Sequence, residues 1–144
     1  MGISESNIIF LDTSYLVKLL RYAGKYSLSG LSFFEKTSQD KKILISTYVI
    51  EELSQDHVRS KIWIDDKLLF IKFLKKFLQK FGVFVYRSED LDHKFLKYVK
   101  DKDDAMIIQD AVKSKSNWII TDNIKDFKVD LIYKDFGLKV KEKI

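Results

Sequence analysis

Apolar and polar positions along this chain switch repeatedly between short solid runs and a helical spacing. Ile8-Ile9-Phe10-Leu11 is a solid run that stops at Asp12, and Thr13-Ser14 then opens a helical pattern to about Gly24, with Leu16, Leu19, Leu20 and Ala23 on one face. Thr13 or Ser14 is positioned to cap that helix. A second helix is predicted over Ser29 to Ser38. Ile43-Leu44-Ile45 is the next solid run, ended by Ser46-Thr47, and a helix is predicted from there through Val49, Ile50, Leu53 and His57. Ser60 to Phe81 carries the longest helical pattern, with Ile62, Leu69, Phe70, Phe73, Leu74, Phe77 and Phe81 at spacings of three and four, and Gly82 closes it. Val83 to Tyr86 reads as a third strand and Glu89 to Lys100 as a helix. A further helix runs from Asp103 to Lys113. Trp118-Ile119-Ile120 is a fourth strand ending at Thr121-Asp122, Ile124 to Phe127 forms one short turn, and Leu138-Lys139-Val140 adds an edge strand. Apolar strands alternating with helices imply one α/β domain over residues 1–144, a three-layer α/β/α sandwich around a parallel sheet of four to five strands.

Composition changes this picture little and charge changes it more. Hydrophobic residues make up 46% of the chain, enough to fill a core, and the absence of cysteine excludes disulfides, thiolate metal sites and cysteine nucleophiles. No apolar run approaches the roughly 18 residues that cross a bilayer. The N-terminus, Met-Gly-Ile-Ser-Glu-Ser, has neither the basic start nor the apolar stretch of a signal peptide, so the expected location is the cytoplasm and no membrane contact is expected. The five glycines are scattered and form no phosphate-binding loop, so no nucleotide cofactor is expected. Net charge is +5, which favours a polyanionic partner, and only three of the 26 basic residues are arginine. Lysine is a point charge suited to phosphates, so contact with a nucleic acid is expected along its backbone. His57 and His93 are isolated in different elements and read as surface or packing residues.

Candidate chemistry lies in acids where strands give way to helices: Asp12, Glu52, Asp104 and Asp122. Capping and the helix dipole explain any one of these, at about 0.3–1 kcal/mol each. Helical geometry weighs against that explanation for Asp104. At about 100° per residue, Ile107, Ile108, Ala111 and Val112 define a buried face with Asp104 at its centre, while Asp103 and Asp110 point away. A carboxylate on such a face is costly unless paired, protonated or bound to a cation. Glu52 lies nearer the buried edge of its helix than Glu51, and Asp56, one turn on, is placed to support it. Asp12 and Asp122 both leave parallel strands at the same edge. Carboxylates gathered there would repel one another, and a hard cation such as Mg²⁺ removes the conflict. Acids, no cysteine and a basic exterior together suggest metal-assisted hydrolysis of a phosphodiester.

Four segments, Leu11-Asp12-Thr13-Ser14, Val49-Ile50-Glu51-Glu52-Leu53, Asp104-Ala105-Met106-Ile107-Ile108 with Ala111, and Ile120-Thr121-Asp122-Asn123-Ile124-Lys125-Asp126-Phe127, resemble in order and spacing the motifs of PIN-domain ribonucleases. Size and style resemble the toxins of VapBC-type toxin–antitoxin pairs. The resemblance implies an endoribonuclease that uses Mg²⁺ or Mn²⁺, with Asp12, Glu52 and Asp104 matching the family's first three acids. The fourth motif departs from the pattern: Asp122 comes one residue early, Asn123 occupies the usual place, and Asp126 matches another acid of that motif. Each of the three is a candidate fourth ligand. Ser14 and Thr121 resemble the hydroxyl residues that hold the acids in place. The implied partners are RNA and an antitoxin protein. The implied mechanism is in-line attack of a metal-activated water on an RNA phosphate, with Glu52 or Asp104 as the candidate proton acceptor and Lys102, Lys125 or lysines of the Ser60–Phe81 segment expected to hold flanking phosphates. That segment is apolar on more than one side, Phe70 and Leu74 lying off its main face, so part of it is expected to meet a second copy of the chain or an inhibitor. Met106, opposite the core stripe, joins such a surface.

Alternatives are an RNA-processing nuclease with no toxic role and a catalytically silent PIN-like module that only binds RNA or protein. A phosphoaspartyl enzyme or receiver domain also ends a strand in aspartate. The former wants a second aspartate at position 14, where this chain has Ser14, and the latter wants an acid pair near the first strand.

Overall fold

The computed structural model describes residues 7–144, so the N-terminal residues 1–6, expected to carry no signal peptide, lie outside it. Ile8–Leu11 (β1), Lys42–Ser46 (β2), Phe84–Tyr86 (β3), Trp118–Ile120 (β4) and Lys139–Lys141 (β5) form one sheet in the order β3-β2-β1-β4-β5. All four pairings are parallel, with Ile9 beside Ile43 and Phe10 beside Ile119. β1 lies at the centre and Ile9, Phe10 and Leu11 are fully buried, as expected of a strand covered on both faces by helices. Chain direction across the sheet reverses between β1 and β4, and in open α/β sheets the crevice at that switch point is where ligands bind.

Helices Thr13–Tyr26 (α1), Ser32–Ser38 (α2), Thr47–Leu53 (α3), Asp56–Arg59 (α4), Lys67–Phe81 (α5), Lys102–Lys113 (α6) and Val129–Phe136 (α7) surround the sheet. Several differ from the periodicity. The helix expected over Ser29–Ser38 is a 3-10 turn at Leu28–Leu31 followed by α2. The one expected to run through His57 divides into α3 and α4. The long Ser60–Phe81 pattern breaks at Trp63, whose backbone is left-handed (φ 64°), and helix resumes only at Lys67. Local hydrogen bonds account for the break. Asp66 accepts the amides of Leu68 and Leu69 at 2.9 and 3.1 Å, and the buried Arg59 guanidinium bonds the Ser54 and Asp65 carbonyls and the Asp56 carboxylate. Asp56 therefore pairs with Arg59 and does not support Glu52.

On α5 the buried residues are Phe70, Leu74 and Phe77, while Leu68 and Leu69 are exposed; Phe70 and Leu74, expected off the main face, are core. Gly82 ends α5 in a left-handed conformation (φ 61°). The helix expected over Glu89–Lys100 is only a 3-10 segment, His93–Tyr98. The buried side chain of Gln109 satisfies the backbone before it, accepting from the Asp92 amide at 2.6 Å and donating to the Asp90 carbonyl at 2.9 Å. α7 has no counterpart in the expected elements, and β5 begins one residue later than expected. Met106 is buried in the fold, not exposed on a contact surface. Among the described residues no helix is long and apolar enough to cross a membrane.

Candidate active site

Asp12 follows β1 and is 3% exposed. It stands at the N-cap of α1, yet among the described residues its side chain makes no capping hydrogen bond. The expected caps Thr13 and Ser14 lie inside the helix. Capping therefore does not explain a buried carboxylate here. Instead Asp12 Oδ2 accepts from Thr121 Oγ1 at 2.6 Å and from Ser14 Oγ at 3.0 Å. Those two hydroxyls are 3.2 Å apart and are themselves held by the amides of Asn123 and Asp122. The strand ends of β1 and β4 are thus stitched together around one acid.

Glu52, on α3, accepts a 2.5 Å hydrogen bond from Thr13 Oγ1, and Glu51 is exposed. Asp104, in the first turn of α6, is partly buried. With Asp12 they line one open cleft of about 350 Å³, bounded also by Asp101, Asp103, Lys61 and Asn123. The electrostatics register the crowding. Burial, then the charges of Asp12, Asp101 and Asp126, push Asp104 up to about 8. Burial raises Glu52 to about 7, with the Thr13 bond opposing and the charges of Asp103, Asp12 and Asp101 adding to the rise. Asp12 is raised by burial against the pull of Thr121, Ser14 and the Thr13 backbone.

Asp122 does not line the cleft: its exposed carboxylate pairs with Lys18 at 3.5 Å. Asn123 does line it, and Asp126 lies near enough to raise Asp104. Lys61 is the cleft lysine; Lys102 and Lys125 are exposed and not part of its lining. His57 and His93 are exposed surface residues.

Two acids of the cleft escaped the helical-face argument. Asp103, expected to point away, lines the cleft and accepts a hydrogen bond from the Tyr48 hydroxyl. Asp101 caps α6, accepting the Asp104 amide at 3.0 Å, while also lining the cleft. The spacing Asp101-x-x-Asp104 before an apolar run was the available signal, since an acid three residues ahead of another marks a helix start. Asp110, also expected to point outward, is fully buried, because α6 is enclosed on nearly all sides from Ala105 to Ala111.

Beside the apolar Val17 and Val58, the acids of the cleft and Asn123 offer oxygen, the donor a hard cation takes. Asp12, Glu52 and Asp104, with the Asn123 amide beside them, suit such an ion chemically: burial first, and neighbouring carboxylates second, raise their pKa values, and a cation would offset both. As the side chains stand, no group of three Asp, Glu or His among the described residues is gathered closely enough to form a ready cation site.

A family model described as "PIN domain" matches residues 8–125. No curated protein matches the sequence significantly. Among solved structures, the fold is similar to a chain of VapBC2 from Rickettsia felis bound to a DNA fragment from their promoter, at 21% identity and TM-score 0.54, covering 92% of this chain and 98% of that one. It is also similar to a domain of a functionally unknown protein from Methanocaldococcus jannaschii, at 17% identity and TM-score 0.55, covering 94% and 89%. These likenesses concern the fold, whereas the family model spans most of the sequence, including the stretches that carry Asp12, Glu52 and Asp104. The chain belongs to the PIN-domain family.

Proposed function

We propose that residues 1–144 form one nuclease domain, a divalent-metal-dependent endoribonuclease acting as the toxin of a toxin–antitoxin pair. The observation that carries this proposal is the convergence of Asp12, Glu52 and Asp104 on one cleft at the switch point of the sheet. Asp12, Glu52 and Asp104 would hold the Mg²⁺ or Mn²⁺, with Asn123, which lines the cleft where Asp122 does not, as the fourth member. When bound, the ion supplies charge neutralisation, water of lowered pKa and a counter-charge for the reacting phosphate.

The protein's own groups do the rest. Thr121 and Ser14 keep Asp12 fixed in one orientation, and Thr13 does the same for Glu52. Glu52 or Asp104, ionised beside the cation, accepts the proton of the attacking water. Lys61 at the cleft wall holds an RNA phosphate. The protein works in the cytoplasm, on cellular RNA. An antitoxin protein is the proposed partner, by likeness to a fold whose relative was crystallised as VapBC2. The exposed apolar side chains of Trp63, Leu68 and Leu69 are the surface we propose for that protein or for a second copy of the chain.

The test is incubation of the purified protein with structured RNAs in Mg²⁺, Mn²⁺ or EDTA, beside Asp12→Asn and Asp104→Asn. Metal-dependent cleavage, lowered on the order of 10²–10⁴-fold in both variants, is expected. Cleavage in EDTA, or cleavage untouched by both substitutions, refutes the proposal. RNA binding without any cleavage would point to a silent binding module instead.

A further inference from the structure

α3 carries Glu52 and α6 carries Asp104, and polar ties link the two helices. At the cleft mouth the Tyr48 hydroxyl donates to Asp103. Two helical turns further along α6, on the same face, Asp110 is fully buried. Its Oδ2 accepts from Ser88 Oγ at 2.7 Å, and that hydroxyl in turn accepts the Tyr48 amide at 3.1 Å. The Ser88 amide donates to Thr47 Oγ1 at 2.9 Å. Ser88 thereby grips the first two residues of α3 from a strut anchored on α6. Burial raises the Asp110 pKa against the pull of Ser88 and of Ser46, and Ser46 also caps α3 by accepting the Val49 amide at 3.2 Å. Meanwhile Asp110 Oδ1 has no hydrogen-bond partner among the described residues.

A half-satisfied buried carboxylate is a poor source of stability, since desolvation offsets most of what its bonds contribute. Its bonds are directional, however, and all lead to the start of α3. We propose that Asp110 is a positioning residue: acting through Ser88, it holds the start of α3 on α6 and so sets where Glu52 stands relative to Asp104. For its effect on metal binding this inference rests on the nuclease proposal; for the geometry of the two helices it does not. An aspartate expected on the solvent side of α6 thus becomes the anchor of the opposite wall of the cleft.

Two measurements test it. Spin labels at the exposed positions Glu51 on α3 and Lys102 on α6 report the spacing of the helices by pulsed electron resonance. The distance distribution is expected to broaden in Ser88→Ala and Asp110→Ala and to stay narrow in Asp110→Asn, whose amide oxygen still accepts the Ser88 hydroxyl. Ser88→Ala leaves no large void, so it serves if Asp110→Ala does not fold. An unchanged distribution in folded Ser88→Ala overturns the inference.

The second measurement is Mn²⁺ affinity of the unlabelled protein. Ser88→Ala is expected to weaken it about tenfold and Asp110→Asn by less than about twofold, the scale of losses when a ligand's support is removed. In a Glu52→Gln background Ser88→Ala should have no further effect, a dependence that general loss of structure would not produce. Equal losses with and without Glu52 overturn the inference. If the wild type neither binds Mn²⁺ nor cleaves RNA, the nuclease proposal fails, and the label distances still decide the role of Asp110.

Discussion

Buried acids that face one another titrate late, and this has a consequence for stability. Glu52 at about 7 and Asp104 at about 8 hold protons that the unfolded chain releases near its ordinary carboxyl values. Between those limits the folded state binds more protons than the unfolded state, so stability falls as pH rises. The contribution is fully present below the unfolded values and is lost as pH passes through about 7 and then about 8. Thermal melts of the metal-free protein are therefore expected to move down between about pH 5 and about pH 8.5, and Asp104→Asn to flatten that slope. Added Mg²⁺ should restore stability at the alkaline end, because it binds the ionised form. A melting temperature that rises over this range would contradict the crowded cleft. The fourth position gives a second residue-level prediction. Asp122 is turned to Lys18 in an exposed pair worth at most about 1 kcal/mol, so Asp122→Ala should keep cleavage within about twofold. Asn123→Ala should lower it about tenfold, the lower end of what support of a bound metal is worth. Comparing the two rates is the check. Asp12, Glu52 and Asp104 were legible as candidates from position and spacing alone. The choice among Asp122, Asn123 and Asp126 was not, because neighbouring residues after a strand point in directions that only the turn decides.

At the scale of elements, the solid apolar runs located four of the strands to within about two residues, the inner ones because a strand buried on both faces needs nothing else, and the edge strand β3 although its Phe84 and Val85 are exposed. Helices were harder. An apolar periodicity continues unbroken through Ile62, Leu69 and Phe70, yet Trp63 to Asp66 leaves the helix because Asp66 and Arg59 offer the backbone better partners locally. The restart also rotates the register, which brings Phe70 and Leu74 inward and turns Leu69 out. Phe70→Ala is expected to cost about 3–5 kcal/mol in urea unfolding and Leu69→Ala less than about 0.5. The reverse ranking would restore the continuous helix. α7 escaped notice because its amphipathic pattern lasts only eight residues, too few for a period to stand out.

At the scale of the whole molecule, a net charge of +5 coexists with an acid-lined cleft. The lysines are spread over the surface, so their attraction for a polyanion is long-range and screened by salt, whereas binding in the cleft depends on the cation. RNA affinity is expected to fall steeply with salt, and Lys61→Ala to reduce the slope of log affinity against log salt by about 0.7, the share of one phosphate contact to a single strand. Filter binding to a catalytically inactive Asp12→Asn protein across a salt series measures it. An unchanged slope would remove Lys61 from the RNA path.

Sequence alone determined the parallel α/β architecture, the acids at strand ends and helix starts, and the basic exterior. All three are written in neighbouring residues: runs, periods and charges. Tertiary structure alone decided which acids meet. Thr121 reaches Asp12 across 109 positions, Glu52 is held by Thr13 across 39, and Asp110 reaches α3 through Ser88. Such contacts depend on strand order and on where a helix breaks, and neither has a period that a chain read in one dimension reveals.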